Sequence, residues 1–462
     1  MHRVLAAFAL LTVPLTALAD RVDDWARDQM AKNHIPGMVV GIYKGGKVKK
    51  LRGYGMADLE ENVPVRTNSL FEICSITKQF TATSLLLLAQ DGKLNLEDPI
   101  LKYLPELPKT WTDISIREVM QHVSGMRDSS FNNEFVADPY KHLASMPIPK
   151  PKEAWSYSNM GYWFLGRVIE KASGLSYFDF LQKRIFNPLG MKDTHPNTPG
   201  PLIERRARGY GWDPKAKQNV NEPILTDDLG YSAGGIISTA NDLNIWSEAL
   251  KHGSILSAAS RSQMLSPARL DGGDAAYAEG MSSIGYGLGV FLSGTAAHRV
   301  EKHSGGWADA SAQLTRFLDD DLTVVVLCNE GGWQERAWVG EEIGRFFIKG
   351  FHLPSWNPVS DPDPAVLQHL REFNDSVIKK QANVSLVTDA LAKEINTSPD
   401  LASTQAKALN LSGAQFVQKI PQAKVNLYLY RLTAQDPQLL RVDLDANGKI
   451  SNYDIYPLPL VK

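Results

Sequence analysis

The sequence predicts an α+β protein. Strands from both ends of a long unit make one antiparallel sheet beside a helical region, and a small α+β unit follows. Three observations lead there. Two strand-like runs, Met38 to Tyr43 and Val48 to Tyr54, flank Gly45-Gly46, a hairpin signal. A second pair, Ala312 to Leu318 and Leu322 to Cys328, flanks an Asp319-Asp320-Asp321 turn. Between the pairs the periodicity is mostly helical.

The elements follow in order. Arg21 to Asn33 reads as a helix with Val22, Trp25, Ala26 and Met30 on one face. Thr77 to Gln90 reads as a helix closed by Gly92, Ile116 to His122 as another, and Met160 to Ala172 as a third closed by Gly174. Pro354, Pro358, Pro362 and Pro364 mark residues 354–364 as a linker. Residues 365–462 then read as two or three helical stretches to Leu409 and strands at Val425 to Thr433, Leu439 to Leu444 and Ile450 to Tyr456. The first unit covers residues 20–353.

A chain of 462 residues exceeds one ordinary core. Its composition, 43 % apolar and 22 % charged, is that of a globular protein and excludes disorder. The net charge of −2 and the lack of a like-charge block argue against nucleic acid; Lys47, Lys49, Lys50 and Arg52 read as a solvated strand face. Residues 1–19 read as a signal peptide: basic His2 and Arg3, an apolar run, and Ala17-Leu18-Ala19 as a small-x-small cleavage site. The expected location is periplasmic or secreted, with no stable membrane insertion. The two cysteines, Cys74 and Cys328, lie in apolar surroundings and read as buried free thiols.

Three short patterns carry chemistry. Ser75 and Lys78 stand three apart, on one helix face, with Ser75 at the positive end of the helix dipole. Lys78 acts as a base only if its pKa falls from about 10.4, which burial or a nearby cation brings about. Tyr157-Ser158-Asn159 offers a phenol for proton transfer and an amide to hold Lys78 and a substrate carbonyl, although Ser158 and Asn159 are also good helix caps. His303-Ser304-Gly305-Gly306 precedes the late strand pair, on an expected edge strand, where glycines let a substrate backbone approach. Ser376 to Lys379 repeats the first pattern and reads as a surface helix pair. Gly230-Tyr231-Ser232-Ala233-Gly234 matches the Gly-x-Ser-x-Gly elbow, but Leu225 to Leu229 is a poor buried strand to precede one. Gly285 to Gly289 reads as a strand of small residues lining a cleft. Nothing in the sequence points to a metal or cofactor.

Taken together and in this order, the three patterns resemble the superfamily of class C β-lactamases, serine DD-peptidases, D-aminopeptidases and related esterases. Ile35-Pro36-Gly37, Asp91-Gly92-Lys93-Leu94 with Asp98-Pro99, His122-Val123-Ser124-Gly125 and Ala233-Gly234-Gly235-Ile236 with Ser238-Thr239-Ala240 add to the resemblance, which covers residues 21–350. It implies a β-lactamase/transpeptidase-like fold and an acyl-enzyme hydrolase. Ser75 is then the nucleophile, Lys78 and Tyr157 share the proton work, Asn159 orients substrate, and Ser75 and Gly306 N–H groups form the oxyanion hole. His303 lies beside Tyr157 and tunes its charge, with Ser304 and Gly305 supporting substrate. His303 stands where class C β-lactamases carry Lys. Gly306 stands where a hydroxyl residue helps bind a substrate carboxylate. The His form is closer to the DD-peptidase and D-aminopeptidase branches, whereas the Gly306 departure shifts expectation toward an uncharged ester or amide, or an amino-terminal D-residue, over a D-Ala-D-Ala peptide or a β-lactam. The competing expectation is a non-catalytic periplasmic binding or sensor protein on the same fold.

Overall fold

The computed structural model describes residues 15–126, 143, 151–153, 155–271, 285–295, 297–353, 357–380, 383, 385–397, 399–409, 411–421, 425–432 and 438–457. Most of the expected signal peptide, residues 1–14, and Pro354 of the expected linker lie outside them. Helix α1 (Leu15–Lys32) starts earlier than the sequence pattern indicates and runs through the expected cleavage point at Ala19.

Strands β1 (Gly37–Lys44), β2 (Lys47–Asp58) and β3 (Val63–Pro64) come first, and β4 (Phe71–Glu72) pairs with β8 (Ile236–Ser238), itself paired with β5 (His195–Pro196). A separate hairpin joins β6 (Tyr210–Asp213) to β7 (Gln218–Asn221). Then follow β9 (Gly285–Tyr286), β10 (Phe291–Gly294), β11 (Arg299–Trp307), β12 (Ala310–Phe317) and β13 (Leu322–Cys328). Among the described residues, eight strands form one sheet in the order β3-β2-β1-β13-β12-β11-β10-β9. The hairpin at Gly45-Gly46 and the turn ending at Asp321 thus place the two chain-distant pairs side by side, with Met38 opposite Cys328 and Lys44 opposite Leu322.

The period-two alternation of β1 explains why its run is apolar throughout. Met38, Val40 and Ile42 enter one core with Val22, Trp25 and Ile343, under α1 and the late helix Val339–Phe347. Val39 and Tyr43 enter the opposite core with Leu314, Val325 and Leu327. Each such buried side chain contributes about 1.5–3 kcal/mol relative to exposure. Trp25 Nε1 donates to Glu342 at 2.9 Å and ties α1 to the late helix.

Helix α2 (Thr77–Gln90) runs through the second core. It is buried on all sides from Thr77 to Leu88, which accounts for its weak amphipathicity. Helix α3 (Ile116–Met120) opens with a capping box between Ser115 and Glu118. Helix α4 (Asn159–Ser173) is capped by Ser158, whose hydroxyl accepts the Gly161 N–H, and ends at Gly174 with φ 75°.

A third core sits in the C-terminal part, where α5 (Pro364–Ile378), α6 (Asp389–Thr397) and α7 (Pro399–Ala408) precede β14 (Gln415–Pro421), β15 (Val425–Leu432), β16 (Gln438–Asp445) and β17 (Ile450–Pro457). The four strands form a sheet in sequence order, packed around Leu370, Phe373, Tyr430, Leu440 and Val442. Strand β14 was not expected; its Gln, Lys and Pro content hides it.

Candidate active site

Ser75 lies in a single 3-10 turn, Cys74–Ile76, that leads directly into α2. The backbone enters this turn through Cys74 at φ 44°, a left-handed conformation that a non-glycine residue adopts at a cost of about 1–3 kcal/mol. Strand β11 packs beside the turn, and Gly305 comes so close to the Ile73 carbonyl and Cys74 Cβ that no side chain fits there. Sheet and helix thus meet at Ser75.

Lys78 is wholly buried. Its Nζ lies 3.2 Å from Ser75 Oγ, 2.7 Å from Asn159 Oδ1 and 2.8 Å from the Ala233 carbonyl. The two carbonyl oxygens only accept, so they take two N–H groups. The remaining position on nitrogen faces Ser75. In the ammonium form it donates there; in the neutral amine it is the lone pair, aimed at the Ser75 O–H. Nζ also sits 4.8 Å from the centroid of the Tyr157 ring. Ser75, Tyr157, Asn159, Ser304 and Gly306 are each half-buried, while their sequence neighbours Ile76, Ser158, Met160 and Gly305 are buried.

His303 is fully buried on β11. Its Nδ1 meets the Ser304 carbonyl at 2.6 Å, and so carries the proton. Its Nε2 then accepts the Tyr286 hydroxyl at 2.9 Å. Burial, with Lys78 nearby, pushes its pKa down to about 3. The ring, 6.4 Å from that of Tyr157, is neutral at ordinary pH and does not supply the positive charge of the lysine it replaces.

Strand β11 is not the edge strand that was expected, since β10 pairs with it. That pairing covers only Arg299 to Lys302, so the half of β11 from His303 to Trp307 has no partner on the β10 side among the described residues. The Gly285 to Gly289 stretch forms a strand only at Gly285–Tyr286. Gly289, at φ 76°, instead backs the Lys78 carbonyl, which a Cβ would approach to 2.6 Å.

The Gly-x-Ser-x-Gly stretch lies in an interrupted helix, Asp227–Gly234, with no preceding strand. Ser232 Oγ is buried and donates to the Tyr162 carbonyl at 2.9 Å. The backbone of the stretch matters more than its hydroxyl: with Tyr231 at φ 37°, the Ser232 carbonyl accepts Thr81 Oγ1 and the Ala233 carbonyl accepts Lys78. Cys74 is a free buried thiol, as is Cys328, and burial drives its pKa up, with Glu72 and Asp309 adding to the rise. Ser376 Oγ donates to the Phe373 carbonyl near the end of α5.

Arg336 was not anticipated. Its guanidinium lies over Gly306, its Nη1 donates to the Trp333 carbonyl at 2.5 Å, and its Nε is buried with no hydrogen-bond partner. No local pattern announces it, because only the return of the chain after β13 brings it there.

Residues 22–341 match the family model described as Beta-lactamase. The chain belongs to the Beta-lactamase family. This family member is 28 % identical over 431 residues to "Penicillin-binding protein 4*" of Bacillus subtilis (strain 168), covering 87 % of this chain and 90 % of the relative. It is 30 % identical over 250 residues to a "Beta-lactamase" of Providencia stuartii, covering 52 % of this chain and 63 % of that one. Among solved structures, the D-amino acid amidase from Ochrobactrum anthropi SV3 aligns with TM-score 0.61 and 26 % identity over 72 % of this chain and 97 % of the amidase. The octameric penicillin-binding protein homologue from Pyrococcus abyssi aligns over 96 % of both chains with TM-score 0.63 and 19 % identity, a likeness of fold. The β-lactamase/transpeptidase-like fold and the serine hydrolase superfamily expected from the sequence are both borne out. No described helix is long and apolar enough to cross a membrane.

Proposed function

We propose that this protein is an exported serine hydrolase that forms an acyl-enzyme on Ser75. The observation that carries the reading is the three-way coordination of buried Lys78 by Ser75 Oγ, Asn159 Oδ1 and the Ala233 carbonyl. Ser75 Oγ attacks the carbonyl carbon as its proton passes to Lys78 and Tyr157. The oxyanion is held by the Ser75 and Gly306 N–H groups. Collapse expels an alcohol or amine, which takes up the proton through Tyr157, and water then cleaves the ester by the reverse proton route. A fluorophosphonate probe should label Ser75 alone, and Ser75→Ala should abolish both labelling and turnover. Labelling that persists in Ser75→Ala overturns the assignment. Export rests on the apolar start and the Ala17-Leu18-Ala19 site. It predicts a mature protein beginning at Asp20 in an extracytoplasmic fraction, read by amino-terminal sequencing.

Arg336 favours a second, narrower reading. The absent hydroxyl at Gly306 argued against a carboxylate-bearing substrate, yet a guanidinium occupies the same corner. A cation there suits a D-Ala-D-Ala-type peptide or a β-lactam. The similarity to a penicillin-binding protein over most of both chains supports this reading, and that to a D-amino acid amidase supports an amide of a D-residue. Side-by-side turnover of nitrocefin, a nitrophenyl ester, a D-Ala-D-Ala peptide and a D-amino-acid amide separates them.

A further inference from the structure

His122 follows α3 at φ 59° and is fully buried. It touches the segment around Tyr157 in three ways. Its carbonyl accepts the Ser156 N–H at 2.8 Å. Its ring Nδ1 accepts the Ser158 N–H at 3.0 Å. The ring packs on that of Tyr157 with centroids 4.4 Å apart and planes tilted by 35°. One residue therefore grips the backbone on both sides of Tyr157 and supports its phenol.

The Nδ1 bond requires a lone pair on that nitrogen, so the ring is neutral with its proton on Nε2. The surroundings enforce this. Lys78 on α2 and His303 on β11 face the ring, the phenols of Tyr157, Tyr162 and Tyr286 surround it, and no carboxylate contributes to its shift. Nε2 itself is buried with no hydrogen-bond partner, so a polar imidazole is kept where an apolar ring would cost less to bury. The bond it makes through Nδ1 is what an apolar ring would lose.

We propose that His122 is the positioning residue for Tyr157: as a neutral acceptor it fixes the Ser156 to Ser158 backbone and aims the phenol at Ser75 and Lys78. This rests on the reading that Tyr157 moves protons for Ser75. Substitutions to Asn and Gly both tolerate φ 59°, so backbone strain does not separate them. The Asn carbonyl can replace Nδ1 as acceptor; Gly has none. With a nitrophenyl ester, His122→Asn should keep kcat within about tenfold, and His122→Gly should lose at least about 100-fold in kcat with KM little changed. Added to Tyr157→Phe, His122→Gly should cost almost nothing more, because the group it positions is already gone. Should the Gly variant unfold, His122→Gln replaces it, since its carbonyl lies one methylene too far to meet the Ser158 N–H. Equal activity of the Asn variant and its comparator, a loss seen in KM, or full additivity with Tyr157→Phe would each overturn the proposal. If Tyr157→Phe alone retains wild-type kcat, it is the proton role of Tyr157 that fails, and the proposal falls with it.

Discussion

The guanidinium of Arg336 covers Gly306 so closely that a methyl group on its Cα would stand 2.5 Å from Nη2 and 2.8 Å from Cζ. The small residue and the large cation are one arrangement. Removing the cation with Arg336→Ala should raise KM about 10- to 100-fold for substrates with a carboxylate beside the scissile bond, the worth of a charged hydrogen bond. A neutral nitrophenyl ester should be unaffected. Gly306→Ala should displace the guanidinium and reproduce part of the same selectivity change. Steady-state kinetics on the paired substrates check this, and equal losses on both would remove the carboxylate role.

Asn159 should act through charge as much as through contact. Asn159→Leu removes one of the two carbonyl acceptors that orient the Lys78 amine and should lower kcat/KM at least about 100-fold. Asn159→Asp keeps an acceptor but places a carboxylate beside the amine, favouring its protonated form. The acid limb of the kcat/KM profile should then move to higher pH. A pH–rate profile that keeps its position would argue against Lys78 as base.

His303 should make the protein acid-sensitive. Its folded pKa lies near 3, below the ordinary 6.5, so the unfolded chain binds a proton that the native chain refuses. Stability is unaffected above pH 6.5 and declines as pH falls from there toward 3. At pH 4.5 the loss is about 2–3 kcal/mol. His303→Gln, which keeps an acceptor for Tyr286, should flatten this decline. Urea midpoints at pH 7 and pH 4.5 measure it.

Asp309 should act with the opposite sign. It and Glu72 are buried near one another and near Cys74, burial raises both pKa values, and the Asp309 Oδ1 has no hydrogen-bond partner. The native pair holds protons that the unfolded carboxyls release near pH 4, so stability falls as pH rises above that value. Asp309→Asn should therefore stabilise the protein more at pH 8 than at pH 5. A denaturation series at the two pH values that shows equal shifts would contradict it.

Much of this was readable in the residues. The β1–β2 hairpin, the β12–β13 pair and the helices carrying Lys78 and following Asn159 all stand where glycines and periodicity put them. The meeting of Ser75, Tyr157 and Asn159 at Lys78 was legible only through the family resemblance, because the three patterns lie far apart along the chain. What was not readable depends on encounters between distant segments. Arg336 reaches Gly306 only through the turn after β13. The Ala233 carbonyl serves Lys78 only because Tyr231 takes a strained backbone. His122 opens the His122-Val123-Ser124-Gly125 pattern, but its bonds to Ser156 and Ser158 need the folded loop. The short pairing of β10 likewise decides which half of β11 lacks a partner on that side, and strand propensity says nothing about where a neighbour ends.

Strand β17 lies against the short 3-10 segment Gln334–Trp338, from which Arg336 projects. The last described strand thus buttresses the segment that lays Arg336 over Gly306. Grafting the terminal module of a relative onto this protein should therefore alter more than its outline: if Arg336 holds a substrate carboxylate as proposed, the hybrid, with the same serine, lysine and tyrosine, should change its preference between anionic and neutral substrates.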